Sequence, residues 1–272
     1  MQKTDHSEKI AKAIDRLKAF EPPDGYYLAF SGGKDSLCIY HLAKMAGVKF
    51  DAHYNVTGID PPELVYFIRD NYPDVIFDSP GITMWELIVK KRMPPTRVVR
   101  YCCQHLKERG GIGRFVVTGV RWAESARRKN SRAMVELNSS SKRQVMLNND
   151  NDEARRMMET CVMKGKHILN PIIEWTDTDV WTFIKSRGIS YCKLYDEGFT
   201  RLGCIACPMA GPKGMERELA RYPKFRALYL KAFEKMIAAR RERGLSCDFF
   251  TDPETVMQWW IYGTKKKGQM ES

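Results

Sequence analysis

The chain has 272 residues, with 45 Lys and Arg against 33 Asp and Glu, giving a net charge of +12 and a pI near 9.3. Hydrophobic residues make up 43%, ordinary for a globular protein, and no apolar run approaches the roughly 20 residues of a membrane span. A membrane-spanning helix is therefore excluded, and the positive balance favours nucleic acid as partner over a basic surface kept only for solubility.

Residues Met1–His6 lack the apolar core of a signal peptide. The expected location is cytoplasmic, where the eight cysteines stay reduced and serve metal or catalysis rather than disulfides. Ile10, Ala13, Ile14, Leu17 and Phe20 fall on one helical face, so residues 1–24 read as an N-terminal helix closed by Pro22-Pro23-Asp24-Gly25. The apolar run Tyr26–Phe30 then breaks into Ser31-Gly32-Gly33-Lys34-Asp35-Ser36, and Leu37–Ala43 reads as a helix closed by Gly47. Strand, glycine turn, helix is the layout of a phosphate cradle. Gly32 and Gly33 let backbone N–H groups face an anion, and the helix points its positive end there. Ser31 and Ser36 add hydroxyls, and Lys34 adds a mobile charge.

A second strand is expected over Val48–Val56, completing the βαβ unit of a parallel sheet. The loop Thr57–Glu63 follows it. Ligands of open α/β sheets bind beyond the carboxyl ends of strands, so Thr57 and Gly58 are expected to line the same crevice as the glycine turn. A helix at 63–70, a short strand at 75–77 and a helix at 84–91 continue the alternation. The run Phe115–Val120, which includes Gly119, reads as a buried strand. It leads to Arg121, Ser125, Arg127 and Arg128, a set suited to an oxyanion because guanidinium pairs with such groups through two hydrogen bonds. Arg121 and Ser125 are the stronger candidates. Residues 129–160 read as a polar, mobile excursion. Thr176-Asp177-Thr178-Asp179 caps a helix at 180–186. Residues 215–243 read as helix with Leu219, Tyr222, Phe225, Tyr229, Phe233 and Met236 on its core face, and a last helix spans 253–262. The domain division is thus residues 1–24, 25–214 and 215–272.

Cys102-Cys103 and Cys204-Ile205-Ala206-Cys207 stand out among the cysteines. Cys-x-x-Cys brings two thiolates to one metal from a single turn. Four thiolates suit a 4Fe–4S cluster or a structural zinc, and a redox pair is a third reading. Cys161 is either a further ligand or a sulfur-carrying thiol. Cys38 and Cys192 read as packing residues.

The Ser31–Ser36 string resembles the PP-loop of ATP pyrophosphatases, which cleave ATP between the α and β phosphates. It differs from the nucleoside-triphosphatase P-loop, whose glycines are separated by four residues. Together with the Thr57–Glu63 loop, Cys102-Cys103…Lys107, Gly119–Arg128, Asn170-Pro171…Trp181 and Tyr195…Cys207, it is similar to the phosphoadenosine phosphosulfate reductase family over roughly residues 25–210. The resemblance implies a doubly wound, mostly parallel α/β sheet of the adenine-nucleotide α-hydrolase type, Rossmann-like, with a C-terminal helical extension. It implies that Cys102, Cys103, Cys204 and Cys207 hold a 4Fe–4S cluster, with Zn²⁺ as the alternative.

The sulfonucleotide reductases of the family use a cysteine in a Glu-Cys-Gly-type segment near the C-terminus, which Ser246-Cys247-Asp248 does not match. Their nucleotide loop also usually lacks the intact string found here. The expected activity is therefore that of an ATP pyrophosphatase: with Mg²⁺ it adenylates a tRNA or DNA acceptor for sulfur transfer from a donor such as a cysteine desulfurase. Lys34, Asp35 and Arg121 would carry the chemistry. Ser31, Gly32, Gly33, Ser36, Thr57, Gly58, Gly119 and Ser125 would complete nucleotide binding, and a homo-oligomer is expected. The rival readings are a sulfonucleotide reductase using Cys247 or Cys161, and a non-catalytic nucleotide-binding subunit.

Overall fold

Tyr26, Tyr27 and Leu28 of β1 (Tyr26–Ala29) are all buried, as expected of a central parallel strand covered on both faces. The computed structural model describes residues 6–108, 110–124, 132–139, 144–147, 165–248 and 250–263. Two compact units emerge. The first takes the described residues of Met1–Asn55, Pro62–Asp78 and Gly110–Leu202, and the second those of Val56–Pro61, Ser79–Arg109 and Gly203–Ser272. These units cut across the boundaries expected at residues 24 and 214. The physical reason is packing: the N-terminal helix is built into the first unit, and the C-terminal helices share a core with residues 79–109.

The first unit carries a seven-stranded sheet in the order β3-β2-β1-β4-β7-β5-β6, with β2 (Phe50–Asn55), β3 (Ile76–Asp78), β4 (Phe115–Val117), β5 (Val135–Ser139), β6 (Gln144–Leu147) and β7 (Gly165–Leu169). The strands β3, β2, β1, β4 and β7 run parallel, and β5 and β6 add antiparallel pairings at one edge. From β1 the chain moves outward to β2 and β3, then returns to place β4 on the other side of β1. The reversal leaves a crevice beyond the carboxyl ends of β1 and β4, where sheets of this kind bind ligands.

Helices α1 (His6–Ala19), α2 (Lys34–Ala46), α3 (Pro62–Asn71) and α6 (Asp177–Ser186) belong to this unit. The first of them is fixed by Arg16, whose Nη1 donates to Pro171 O at 2.9 Å and to Glu174 Oε2 at 2.6 Å. The expected excursion at 129–160 is corrected in part. Its residues 135–139 and 144–147 are strands of the sheet, and its other residues outside 132–134 lie beyond those described. Polarity hid the hairpin, because the buried Glu136 is satisfied by Arg132 Nε at 2.7 Å and by Asn170 Nδ2 at 2.9 Å.

The second unit is helical: α4 (Met84–Lys91), α5 (Tyr101–Leu106), α7 (Gly211–Arg221), α8 (Pro223–Glu242) and α9 (Pro253–Tyr262). The single helix expected over 215–243 is two. Tyr222 leaves helical geometry at φ −118°, ψ 68°, and Pro223 opens the next helix, where its missing N–H costs nothing. Leu87, Ile88, Tyr229, Phe233, Met236 and Trp260 form the core, and the Trp85 and Tyr229 rings meet edge to face at 4.9 Å. The expected apolar face of residues 219–236 is thus a core face. Arg240 Nη1 donates to Arg92 O at 2.8 Å, placing a cation at the carboxyl end of α4. No helix among the described residues is long and apolar enough to cross a membrane.

Gly119 sets the approach of the β4 end to the α2 start. A Cβ there would lie 2.9 Å from the Asp35 carbonyl carbon and 3.0 Å from its oxygen. Because the obstacle is backbone, Gly119→Ala is expected to destabilise the first unit by about 1–3 kcal/mol. Denaturant unfolding checks this, and an unchanged midpoint would show that the two segments separate freely.

Candidate functional site

Gly33 ends the turn after β1 as the N-cap of α2, with extended geometry (φ −80°, ψ 159°) and no side-chain capping bond. Gly32 has φ +69°, and a Cβ there would lie 2.7 Å from Ile68 Cδ1. Gly32 is therefore required by backbone conformation and packing, whereas a Cβ at Gly33 would come no nearer than 3.4 Å to the Ser31 and Tyr195 hydroxyls. The Ser36 hydroxyl donates back to Gly33 O at 2.8 Å and lies 3.2 Å from Ser31 Oγ. The two serines thus shape the turn as well as presenting hydroxyls. The Lys34 N–H is met by the Tyr195 phenol oxygen at 2.8 Å. Burial pushes the Tyr195 phenol up from its ordinary value, against the pull of that N–H.

Lys34 and Arg121 organise the charges. The Lys34 ammonium lies 3.3 Å from Thr200 O, 3.5 Å from Asp177 Oδ1 and 3.7 Å from Asp35 Oδ2. Arg121, only 1% exposed, donates from Nε to Asp35 Oδ1 at 2.7 Å, from Nη1 to Trp175 O at 3.1 Å and from Nη2 to Asp177 Oδ1 at 2.9 Å. Burial alone would raise the Asp177 carboxyl. Lys34 and Arg121 outweigh it and hold the group below the usual carboxylate range.

This placement differs from the oxyanion role expected of Arg121. The guanidinium braces the turn from beneath, and Asp35 serves as its partner within the cradle. Gly119 stands against Asp35 as the approach requires. Ser125, Arg127, Arg128 and Cys161 lie outside the described residues. Sequence reasoning missed Tyr195, Thr200, Trp175 and Asp177 as partners of the turn. The signal for them was the resemblance itself, whose segments 170–181 and 195–207 contain all four.

Thr57 and Gly58 belong to the second unit. Thr57 Oγ1 donates to Asp60 Oδ2 at 2.7 Å and accepts from Ile59 N at 3.2 Å. The Cys204 thiol lies 3.9 Å from the same hydroxyl. Cys102 and Cys103 occupy the first turn of α5. Cys204 and Cys207 close a turn with Cys207 N donating to Cys204 O at 3.2 Å. Ala206 sits in the left-handed region at φ +57°, held there by Ala206 N to Glu218 Oε2 at 2.7 Å and by the Tyr229 hydroxyl on Ile205 O at 3.0 Å.

The Cys102 thiol is raised and the Cys103 thiol lowered, each chiefly by its interaction with the other. Burial pushes Cys204 up to about 12, against the pull of Lys107. Burial would lower Lys107, but Cys204 and Asp60 outweigh it and hold the ammonium charged. Cys102, Cys103, Cys204 and Cys207 all belong to the second unit. Among the described residues, no group of three or more His, Cys, Asp or Glu side chains is gathered closely enough to hold one metal ion. Cys38 and Cys192 are buried, as packing residues should be.

A strand, a glycine turn and a helix start with a glycine N-cap, set at the reversal point of a mostly parallel sheet, define an α/β domain with a cradle suited to an anion. The phosphoadenosine phosphosulfate reductase domain matches residues 25–210, and the chain belongs to that family. An uncharacterized protein of Methanocaldococcus jannaschii is 26% identical over 240 residues, covering 85% of this chain and 50% of that protein. A probable FAD synthase of Caenorhabditis briggsae is 24% identical, over 72% of this chain and 32% of its own length. An adenosine 5'-phosphosulfate reductase of Staphylococcus epidermidis is 22% identical, over 61% and 60%. The chain thus spans half or less of the length of the first two.

The brace can be tested alone. Arg121→Met leaves Asp35 and Asp177 with Lys34 as their one remaining shared cation among the described residues. The expected loss is about 2–3 kcal/mol, below that of a fully buried pair because Asp177 is exposed. Arg121→Lys should fail to restore it, since an ammonium lacks the fork that reaches three acceptors. Unfolding midpoints measure both, and a loss under about 0.5 kcal/mol, typical of a surface substitution, would contradict the brace.

Proposed function

We propose that the chain is an ATP pyrophosphatase of the PP-loop type that adenylates a nucleic-acid acceptor for sulfur transfer. The observation that carries the reading is the N-terminus of α2. Its N-cap is Gly33, which supplies no capping side chain, the Lys34 N–H is met by the neutral Tyr195 hydroxyl, Lys34 lies in the first turn, and Arg121 holds Asp35 beside it. A helix start in this state favours phosphate through its N–H groups and its dipole.

The β and γ phosphates would lie against this turn. The acceptor oxygen attacks the α phosphorus, the bond from that phosphorus to the bridging oxygen breaks, and pyrophosphate leaves with AMP joined to the acceptor. Lys34 is placed to neutralise charge developing on the leaving group, which is where a fixed cation accelerates such a reaction. Mg²⁺ would share that task, held mainly by phosphate oxygens. Asp35 is committed to Arg121 and Lys34, so it serves the metal less directly than its position in the string suggests. A sulfur nucleophile then displaces AMP.

The four cysteines suit an iron–sulfur cluster. Cys102, Cys103, Cys204 and Cys207 would hold it, and when bound it would supply iron for a sulfur donor. Lys107 offsets the negative charge of the thiolates, and Glu218 and Tyr229 fix the Cys204–Cys207 turn.

Anaerobically purified protein with ATP and Mg²⁺ is expected to release pyrophosphate, faster with bulk tRNA or DNA, and Ser36→Ala should remove most of the release. No release, together with sulfite from a sulfonucleotide, would overturn the reading in favour of a reductase. ATP binding without turnover, even with partners added, would leave a nucleotide-binding subunit. Separately, the anaerobic protein is expected to be brown, with about four irons per chain. Cys204→Ser should reduce that iron markedly, and a colourless protein containing zinc would contradict the cluster.

A further inference from the structure

Beside the α2 start, the first unit holds a cavity of about 420 Å³ whose lining includes Lys34, Asp177, Trp181, Lys185, Tyr191 and Tyr195. That size lies within the roughly 300–1,000 Å³ of small-molecule sites. One wall is the face of α6 that carries Trp181 and, one turn on, Lys185, whose ammonium lies 6.0 Å from the indole centroid. The 191–200 segment supplies the rest of the lining. Tyr191 and Tyr195 meet the Trp181 ring edge to face at 5.2 and 5.0 Å. All three rings are half-buried rather than packed away. The Tyr195 hydroxyl accepts from Lys34 N, so this wall is fixed to the phosphate cradle.

The charges say what class of ligand fits. Two ammonium groups, Lys34 and Lys185, face two carboxylates, Asp177 and Asp196. The lining charges sum to zero, so beyond Lys34, which the cavity shares with the α2 start, a polyphosphate gains little by entering. A flat neutral ring bearing donors and acceptors on its edge gains aromatic contact and polar partners together. A nucleobase is such a ring, and Lys185 at the cavity is placed for a backbone phosphate.

We propose that this cavity seats one nucleobase of the acceptor strand against the Trp181 wall, with its phosphate on Lys185. The assignment rests on the reading that the acceptor is nucleic acid. It places the acceptor and the leaving pyrophosphate on either side of Lys34.

The test is photocrosslinking of the full chain to a short single-stranded RNA carrying one 4-thiouridine, with the labelled peptides mapped. Label within residues 181–200 is expected. Trp181→Ala should weaken oligonucleotide binding roughly tenfold or more, with Trp181→Phe restoring much of it, as stacking on one ring predicts. Label confined to other segments overturns the site, and so does an 8-azido-ATP label in these same peptides. FMN bound at this wall with no oligonucleotide bound overturns the nucleobase assignment. Because the mapping uses the unaltered chain, a misfolded variant does not void it. Nucleic-acid-stimulated pyrophosphate release without label in 181–200 sinks this site and leaves the proposed activity standing. Label there without any release does the reverse.

Discussion

One buried guanidinium holds the first unit's site together. Arg121 leaves the end of β4 and turns inward, joining Asp35 in the first turn of α2 to Asp177 in the first turn of α6. Its third bond, to Trp175 O, anchors it to the chain that leads into α6. A buried cation is stable only with such partners. Those partners in turn fix the two helix starts that frame the cradle. The α2 start can then do without a capping side chain at Gly33, because Arg121 on Asp35 and the Tyr195 hydroxyl on Lys34 N do the positioning from elsewhere in the unit.

The second unit solves a similar problem with different chemistry. A Cys-x-x-Cys turn needs a residue in the left-handed region, and here that residue is Ala206 rather than glycine. Such a conformation costs of order 1 kcal/mol or more. Glu218 and Tyr229 offset it by taking the Ala206 N–H and the Ile205 carbonyl. Both come from helices whose other faces form the unit's core. The turn that presents two of the four thiols is therefore tied to the helices behind it, with Lys107 and Asp60 beside Cys204.

The βαβ start of the sheet was legible because its signals are local. An apolar run, two adjacent glycines and a helical period leave little else for residues 26–46 to do. The cysteine pairs were legible through their spacing and the family resemblance. Arg121 was found, but its direction was not. A strand-end arginine reads as an anion ligand until its partners, 86 and 56 residues away in sequence, are seen to be carboxylates. The β5–β6 hairpin was hidden by Glu136 and Arg132, which read as solvated although Glu136 is buried and paired. The break at Tyr222 was visible only as Pro223, whose fixed φ starts a helix as readily as it ends one.

The measurement that bears most directly on the account is a structure of the chain with a non-hydrolysable ATP analogue and Mg²⁺. The account predicts the β and γ phosphates against the 33–36 backbone, the Lys34 ammonium between them and Asp177, and Arg121 still bound to Asp35. A triphosphate bound elsewhere, or an Arg121 that has left Asp35 to grip a phosphate, would contradict it.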